Sequence, residues 1–268
     1  MPLSYFQCSE CGQCFAPDEV TYSCLTCGGN LDTHFSFEEN LVEIDQSAIL
    51  RSKESSIWRY APLLAAPDPG FNQTPLHQVG WTPVYRPESL QKSLGMRELW
   101  IKDESRNPSA SFKDRASALV IARAIEADIE TIIAASTGNA GAAMACVAAS
   151  VGKKAVIIAP RSAPPAKVAQ LLTFGAKVVL VDGTYDQAFD LSIEASDELG
   201  WYNRNTGYNP YTVEGKKTAG LEIWEQVLLN RDQFDQNMTV FIPVGDGNIL
   251  SGVAKGFADL LALGWIER

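Results

Sequence analysis

Two groups of side chains in this sequence have the types and spacing that chemistry requires. The first is made of thiols. Cys8-Ser9-Glu10-Cys11-Gly12 and Cys24-Leu25-Thr26-Cys27-Gly28 are two C-x2-C pairs with twelve residues between them. Four thiolates close a tetrahedral shell around zinc, and such a shell leaves no open position for substrate, so the expected metal is structural. The glycine after each pair gives the chain room to turn N–H groups towards sulfur. Cys14 breaks the spacing, which leaves Cys8, Cys11, Cys24 and Cys27 as the expected ligands. Free thiols and redox chemistry are the competing readings. Five of the six cysteines lie between Cys8 and Cys27. In a reducing compartment that clustering points to metal before disulfides.

The second group centres on an amine. Asp103 to Arg115 (DESRNPSASFKDR) runs from turn-forming residues into a helix, with Ser111 as the expected N-cap. Lys113 then stands in the first helical turn, where the positive end of the macrodipole disfavours its ammonium form. A lysine that loses its proton easily is what Schiff-base chemistry needs. The plain alternative is a solvated lysine beside Asp114 and Arg115. Two loops argue for the first reading. Ser136-Thr137-Gly138-Asn139-Ala140-Gly141 opens a helix after an apolar run, and its N–H groups and hydroxyls suit a carboxylate or phosphate. Gly245-Asp246-Gly247-Asn248-Ile249 also leads into a helix, with glycines that let a phosphate approach the backbone. It lacks both the G-K-[ST] ending of a P-loop and a G-x-G-x-x-G fingerprint. A poised lysine with two anion-binding helix starts fits an aldehyde cofactor that carries a phosphate, pyridoxal 5'-phosphate.

Such groups need a scaffold. Short apolar runs alternate with helical segments: strands are expected at Glu98–Lys102, Thr131–Ala135, Lys154–Ala159, Lys177–Asp182 and Thr239–Pro243. Helices are expected at Ala116–Ala127, Ala140–Ser150, from Pro164-Pro165 to Phe174-Gly175, up to Leu199-Gly200, and at Glu214–Leu229 and Asn248–Leu263. The alternation implies an α/β fold with a mainly parallel sheet, whose ligands sit beyond the C-terminal strand ends.

Composition narrows the function. The chain has 268 residues, 46% hydrophobic and 20% charged, an ordinary globular mix. A net charge of −10 gives no general attraction for nucleic acid or anionic membranes. No apolar run is long enough for a membrane span, and the start lacks a signal-peptide pattern, so a cytoplasmic protein is expected.

The segment NPSASFKDR, the loop STGNAGAA, Gly80-Trp81-Thr82-Pro83, and Asn209-Pro210 with Glu214-Gly215-Lys216-Lys217-Thr218 together resemble the threonine synthase family. These are pyridoxal-phosphate enzymes of the tryptophan-synthase-β-like fold, with two subdomains built on open, mainly parallel sheets. The resemblance implies a zinc-ribbon-like module at 1–35 and a catalytic domain at 36–268. It implies that Lys113 carries the cofactor and shuttles protons, and that Asn139 bonds the cofactor's phenolic oxygen. Gly245, Asp246, Gly247, Asn248 and Ile249 would cradle the cofactor phosphate. Ser136, Thr137, Gly138 and the N–H of Ala140 would hold the carboxylate of an amino-acid substrate. The implied reaction converts O-phospho-L-homoserine and water to L-threonine and phosphate. The alternatives are a sister enzyme of the same fold (threonine or serine dehydratase, cysteate synthase, diaminopropionate ammonia-lyase) or a non-catalytic chain.

Three departures stand out. Family members usually carry glycine where Ala110 stands. The family's phosphate-binding arginine after Asn-Pro is here Thr212, with Lys216, Lys217 and Arg204 as nearby replacement cations. The chain also stops one helix after the phosphate loop, so the catalytic domain is expected to be incomplete at its C-terminus. A homodimer is expected of a full-length enzyme.

Overall fold

The computed structural model describes residues 3–37, 44–230 and 238–267. At the N-terminal end, β1 (Leu3–Cys8) pairs antiparallel with β2 (Cys14–Phe15) and β3 (Leu31–Phe35), in the order β2-β1-β3. Then come α1 (Gln46–Arg51), two 3-10 turns at Ile57–Leu63 and Pro75–Gln78, β4 (Val84–Tyr85), α2 (Glu88–Ser93) and β5 (Ile101–Lys102). The remainder alternates: α3 (Lys113–Glu126), β6 (Thr131–Ala135), α4 (Asn139–Ser150), β7 (Lys154–Pro160), α5 (Pro165–Thr173), β8 (Lys177–Val181), α6 (Tyr185–Leu199), β9 (Tyr202–Asn203), α7 (Tyr211–Gln226) and α8 (Asn248–Ala262).

Strands β8-β7-β6-β9 form a four-stranded parallel sheet in that order. Every residue of β6 is buried, as expected of a central strand with helices on both faces. The main core joins β6 and β7 to α3 and α4, and it continues through Phe6, Phe15 and Leu31 of the antiparallel sheet. Half of the residues of helix α4 are alanine, so its backbone lies close to its neighbours. A Cβ on Gly141 would stand 2.5 Å from the Ser136 carbonyl oxygen. Helices α3 and α7 are closer still, because a Cβ on Gly215 would meet the Arg115 carbonyl oxygen at 2.2 Å.

Helix ends agree with the sequence expectations to within a few residues, the usual uncertainty of a frayed terminus. Gly200 closes α6 in the left-handed conformation, φ 65°. Two strand expectations need correction. The run Glu98–Lys102 is strand only at Ile101–Lys102, because β4 offers a two-residue ladder. Thr239–Pro243 is not a strand: no described strand pairs with it, and Phe241 is 86% exposed. A β-prone sequence becomes a strand only when a neighbour takes its N–H and C=O groups. No helix among the described residues is long and apolar enough to cross a membrane.

Candidate active site

The chain brings its chemistry to the C-terminal ends of β6 and β9. Arg204 follows β9 directly, and its backbone N–H donates to the Ile133 carbonyl of β6 at 2.8 Å. The Asn205 side chain accepts from the Ala135 N–H, also at 2.8 Å. Tyr185, the first residue of α6, donates its hydroxyl to the Ala135 carbonyl at 3.2 Å. Helix α3 leads into β6 through a short turn, which brings its N-terminal residue, Lys113, towards the same end.

Lys113 is the first residue of α3. Ser111 does not occupy the cap position, because Phe112 already has helical dihedrals, φ −51° and ψ −27°. The Ser111 hydroxyl nonetheless accepts the Lys113 N–H at 3.1 Å. Burial lowers the Lys113 pKa from its ordinary value; Asp246 opposes that shift and Arg204 reinforces it. The direction matches the expectation, with loss of water as the leading cause. The neighbouring Asp114 is fully buried and accepts from both the N–H and the hydroxyl of Ser109, at 2.7 and 2.6 Å. Burial raises its pKa to about 6. Asp114 therefore clamps the loop that delivers Lys113. In that loop Ala110 has φ +57°, a left-handed conformation that costs a residue with a Cβ about 1–2 kcal/mol.

The two anion loops differ in what they offer. At α4 the Ser136 hydroxyl accepts from the N–H groups of Gly138 and Gly141, at 3.3 and 3.1 Å. The Asn139 and Ala140 N–H groups of the first turn keep no protein acceptor among the described residues, and Asn139 is exposed. Thr137 lies half-buried between them. At α8, Gly247 has φ +79° and caps the helix. Asp246 takes the Asn248 N–H at 3.1 Å, so a carboxylate already uses one of the donors expected for phosphate. Gly245 is exposed and Ile249 half-buried.

Beneath the lysine loop lies a closed ion-pair network. Arg115 binds Glu104 at 2.7 Å and Glu222 at 2.8 Å, and Lys102 binds Glu222 at 2.6 Å. Burial alone would raise the Glu222 pKa, but these two cations hold it at about 2. The GWTP turn is bound to the same carboxylate: Trp81 N–H donates to Glu222 at 2.8 Å, and Gly80 N–H donates to Asn107 at 2.9 Å. That motif thus anchors the lysine loop to α7. Nothing in the sequence spacing marks Glu222 as its partner, because the two lie 141 residues apart.

Two further buried basic residues have no carboxylate partner among the described residues. Arg204 and Lys216 are fully buried. Among the described residues the Arg204 guanidinium donates only to the hydroxyls of Ser117 at 3.2 Å and Thr206 at 2.7 Å, and its Nη2 has no partner. Lys216 donates to the Asn248 side-chain oxygen at the start of α8. Burial, Arg204 and Lys113 together bring the Lys216 pKa down to about 6, against the pull of Asp246. Lys217, the third candidate replacement cation, is already held by Glu214 at 2.6 Å and Asp259 at 2.8 Å. Thr212 gives its hydroxyl to the Asn209 carbonyl at 2.8 Å.

The cysteines converge as well. The sulfurs of Cys8, Cys11, Cys24 and Cys27 all lie within 4.8 Å of one another. Cys8 and Cys27 are 3.5 Å apart, and Cys11 and Cys24 are 3.6 Å apart. A tetrahedral zinc–thiolate shell needs sulfur separations of about 3.8 Å. Gly12 and Gly28 have φ +74° and +75°, and their N–H groups close matching turns onto the Cys8 and Cys24 carbonyls. Cys14 lies outside the cluster. Cys146 is half-buried, and burial pushes its thiol up to about 11.

An apolar cavity of about 640 Å³ abuts the site; Trp100, Phe112, Phe241, Ile249 and Val253 are among its walls, and Lys113 is not.

The family model for pyridoxal-phosphate dependent enzymes matches residues 76–266. The chain belongs to this family. It is 36% identical to threonine synthase of Methanocaldococcus jannaschii and 34% identical to that of Methanosarcina acetivorans, over 98% of its own length in each case. It spans 62% of the length of each of these relatives. Among solved structures it is similar to the processed threonine deaminase isoform 2 of Solanum lycopersicum, with TM-score 0.60 and 27% identity over 72% of this chain and 52% of that one. Maize serine racemase gives TM-score 0.57 and 28% identity over 67% of this chain and 52% of that one. The fold is therefore the α/β fold of the pyridoxal-phosphate enzymes, with one four-stranded parallel sheet among the described residues.

Proposed function

We propose that this chain carries the cofactor seat and catalytic lysine of a threonine synthase, which converts O-phospho-L-homoserine and water to L-threonine and phosphate. The observation that carries the reading is the place of Lys113. It starts a helix, is partly withdrawn from water, and lies within the electrostatic influence of Arg204 and Asp246. The choice of substrate follows the threonine synthases to which the chain is similar.

The residues fit pyridoxal phosphate. Lys113 would hold it covalently, Asn139 would bond its ring oxygen, and the Gly245–Ile249 loop would receive its phosphate. Bound there, the cofactor supplies an electron sink that lets charge develop on the substrate's carbon chain. Lys113 needs its uncharged form to accept a proton from the substrate's α-carbon, and burial favours that form. The same Nζ, once protonated, returns the proton further along the chain. Ser136, Thr137, Gly138 and the free N–H groups of Asn139 and Ala140 orient the substrate carboxylate. Asp114 keeps the lysine loop in register through Ser109.

Cys8, Cys11, Cys24 and Cys27 would bind one structural zinc. Their sulfur spacing and paired glycine turns support this, and thiol-rich metal sites suit a cytoplasmic enzyme. A chelator should release one zinc per chain and loosen the Phe6–Tyr211 contact between β1 and α7.

A second reading is an ammonia-releasing lyase of the same fold. It is favoured by Thr212 at the arginine position and by the structural likeness to threonine deaminase. One paired assay separates the two. Release of phosphate from O-phosphohomoserine supports the synthase; release of ammonia from serine or threonine without phosphate turnover supports the lyase. A visible cofactor band that borohydride fixes onto Lys113 supports both, and its absence with added cofactor removes both.

A further inference from the structure

Buried cations in this protein fall into two kinds. Arg59, Lys102, Arg115 and Lys217 each reach a carboxylate within hydrogen-bond distance. Arg204 and Lys216 are as deeply buried, yet no carboxylate pairs with either among the described residues. The nearest acidic groups are Asp114, already clamped by Ser109, and Asp246, which stands at the exposed start of α8 and bonds the Asn248 N–H. Burying like charges together is costly unless an anion joins them or one gives up its proton, which Lys216 does readily and an arriving anion would reverse. The guanidinium keeps an unused Nη2 donor inside the protein, where an unmet donor is itself unfavourable.

We propose that Arg204 and Lys216 together receive a phosphate monoester dianion beside Lys113. This rests on the reading of Lys113 as the cofactor lysine only for the identity of the ester. The burial of both side chains and the open Nη2 donor of Arg204 are independent of it. A guanidinium presents two parallel donors to phosphate oxygens, and an ammonium adds a point charge. Lys216 is joined to Asn248, so one arm of the receptor touches the helix start that would hold the cofactor phosphate. Arg204 is fixed by β9 and the Ile133 carbonyl at the strand ends, where a substrate would lie. The dianion is therefore either the cofactor's phosphate or the substrate's leaving group, and the two behave differently on titration.

The test is isothermal titration of the full chain with inorganic phosphate, first free of cofactor and then loaded with pyridoxal phosphate. The proteins are wild type, Arg204→Met and Lys216→Met, with Lys216→Arg as the charge-keeping control. Wild type should bind one phosphate per cofactor-free chain. Each Met variant should bind at least tenfold more weakly, and Lys216→Arg should stay within threefold of wild type. If the loaded protein still binds phosphate, the receptor serves the substrate. If loading abolishes phosphate binding and the Met variants also lose cofactor affinity tenfold, it serves the cofactor. Equal phosphate binding by wild type and both Met variants, or none by wild type, overturns the proposal. So does a Met variant that fails to fold, since the charge would then be part of the scaffold. Failure of Lys113 to take up the cofactor would leave the cofactor-free titration intact and would count against the proposed function alone.

Discussion

Arg115 and Lys216 sit at opposite ends of one physical contrast. Both are fully buried in the contact between α7 and its neighbours. Arg115 is enclosed by Glu104, Glu222, Thr218 and Thr82, with every nitrogen of its guanidinium engaged. Among the described residues Lys216 has a single amide oxygen as acceptor, and the charges of Arg204 and Lys113 disfavour its ammonium form. The first is a finished network that fixes the lysine loop to α7. The second is an unfinished one whose missing member carries negative charge. Charge burial in this molecule thus separates what holds the fold from what awaits a ligand.

The contrast is broken most severely at its closed end. Arg115→Met should cost about 3–5 kcal/mol, because it removes the ion pair of Glu104 and leaves the buried Glu222 with Lys102 alone. Urea unfolding measures it, and a loss below 1 kcal/mol would show that the network is not a support. Lys217→Met should behave alike, because it removes the nearer cation of Glu214 and Asp259 and leaves them Lys255 at 3.6 Å from each.

At the open end the sign reverses, and pH sharpens it. The Lys216 pKa is depressed in the folded chain to about 6, below the ordinary lysine value of 10.5. Between those values the unfolded chain binds the extra proton, so this residue's penalty grows as pH falls from about 10 to 6 and is constant below that. Lys113 and Arg204 sharpen the penalty and Asp246 relieves it, and all three are unchanged in Lys216→Met. The stability advantage of Lys216→Met over wild type should therefore widen as pH falls from 10 to 6 in phosphate-free buffer. Saturating phosphate should close the gap. A gap that does not change with pH would mean that Lys216 keeps its ordinary titration.

The smallest effect is at Ala110. Relief of its left-handed conformation by Ala110→Gly is partly offset by the entropy of glycine in the unfolded chain. A net gain of about 0.5–1 kcal/mol in urea unfolding is expected. A loss would show that the Ala110 methyl makes a contact worth more than the strain.

The alternating strands and helices were legible because each is a local pattern: TIIAA and KAVIIAP are buried runs with punctuating turns. The cysteine spacing and the poised lysine were legible for the same reason. Thr239–Pro243 was misread because a strand is a property of two segments, and this one has no described partner. The sequence named Lys216, Lys217 and Arg204 as nearby cations, but could not say that Lys217 is neutralised and the other two are not. That distinction depends on Asp259, 42 residues away on α8. The role of Glu222 beneath the GWTP turn was hidden likewise, since only tertiary packing brings them together.

Lys216 and Lys217 are adjacent on α7, and one side-by-side measurement separates a buried charge that supports the fold from one that awaits an anion. Lys216→Met and Lys217→Met are unfolded in urea at pH 7.5 without phosphate. The account predicts a midpoint at or above wild type for Lys216→Met and one well below it for Lys217→Met. Equal falls in both midpoints would contradict it, because Lys216 would then support the fold as Lys217 does.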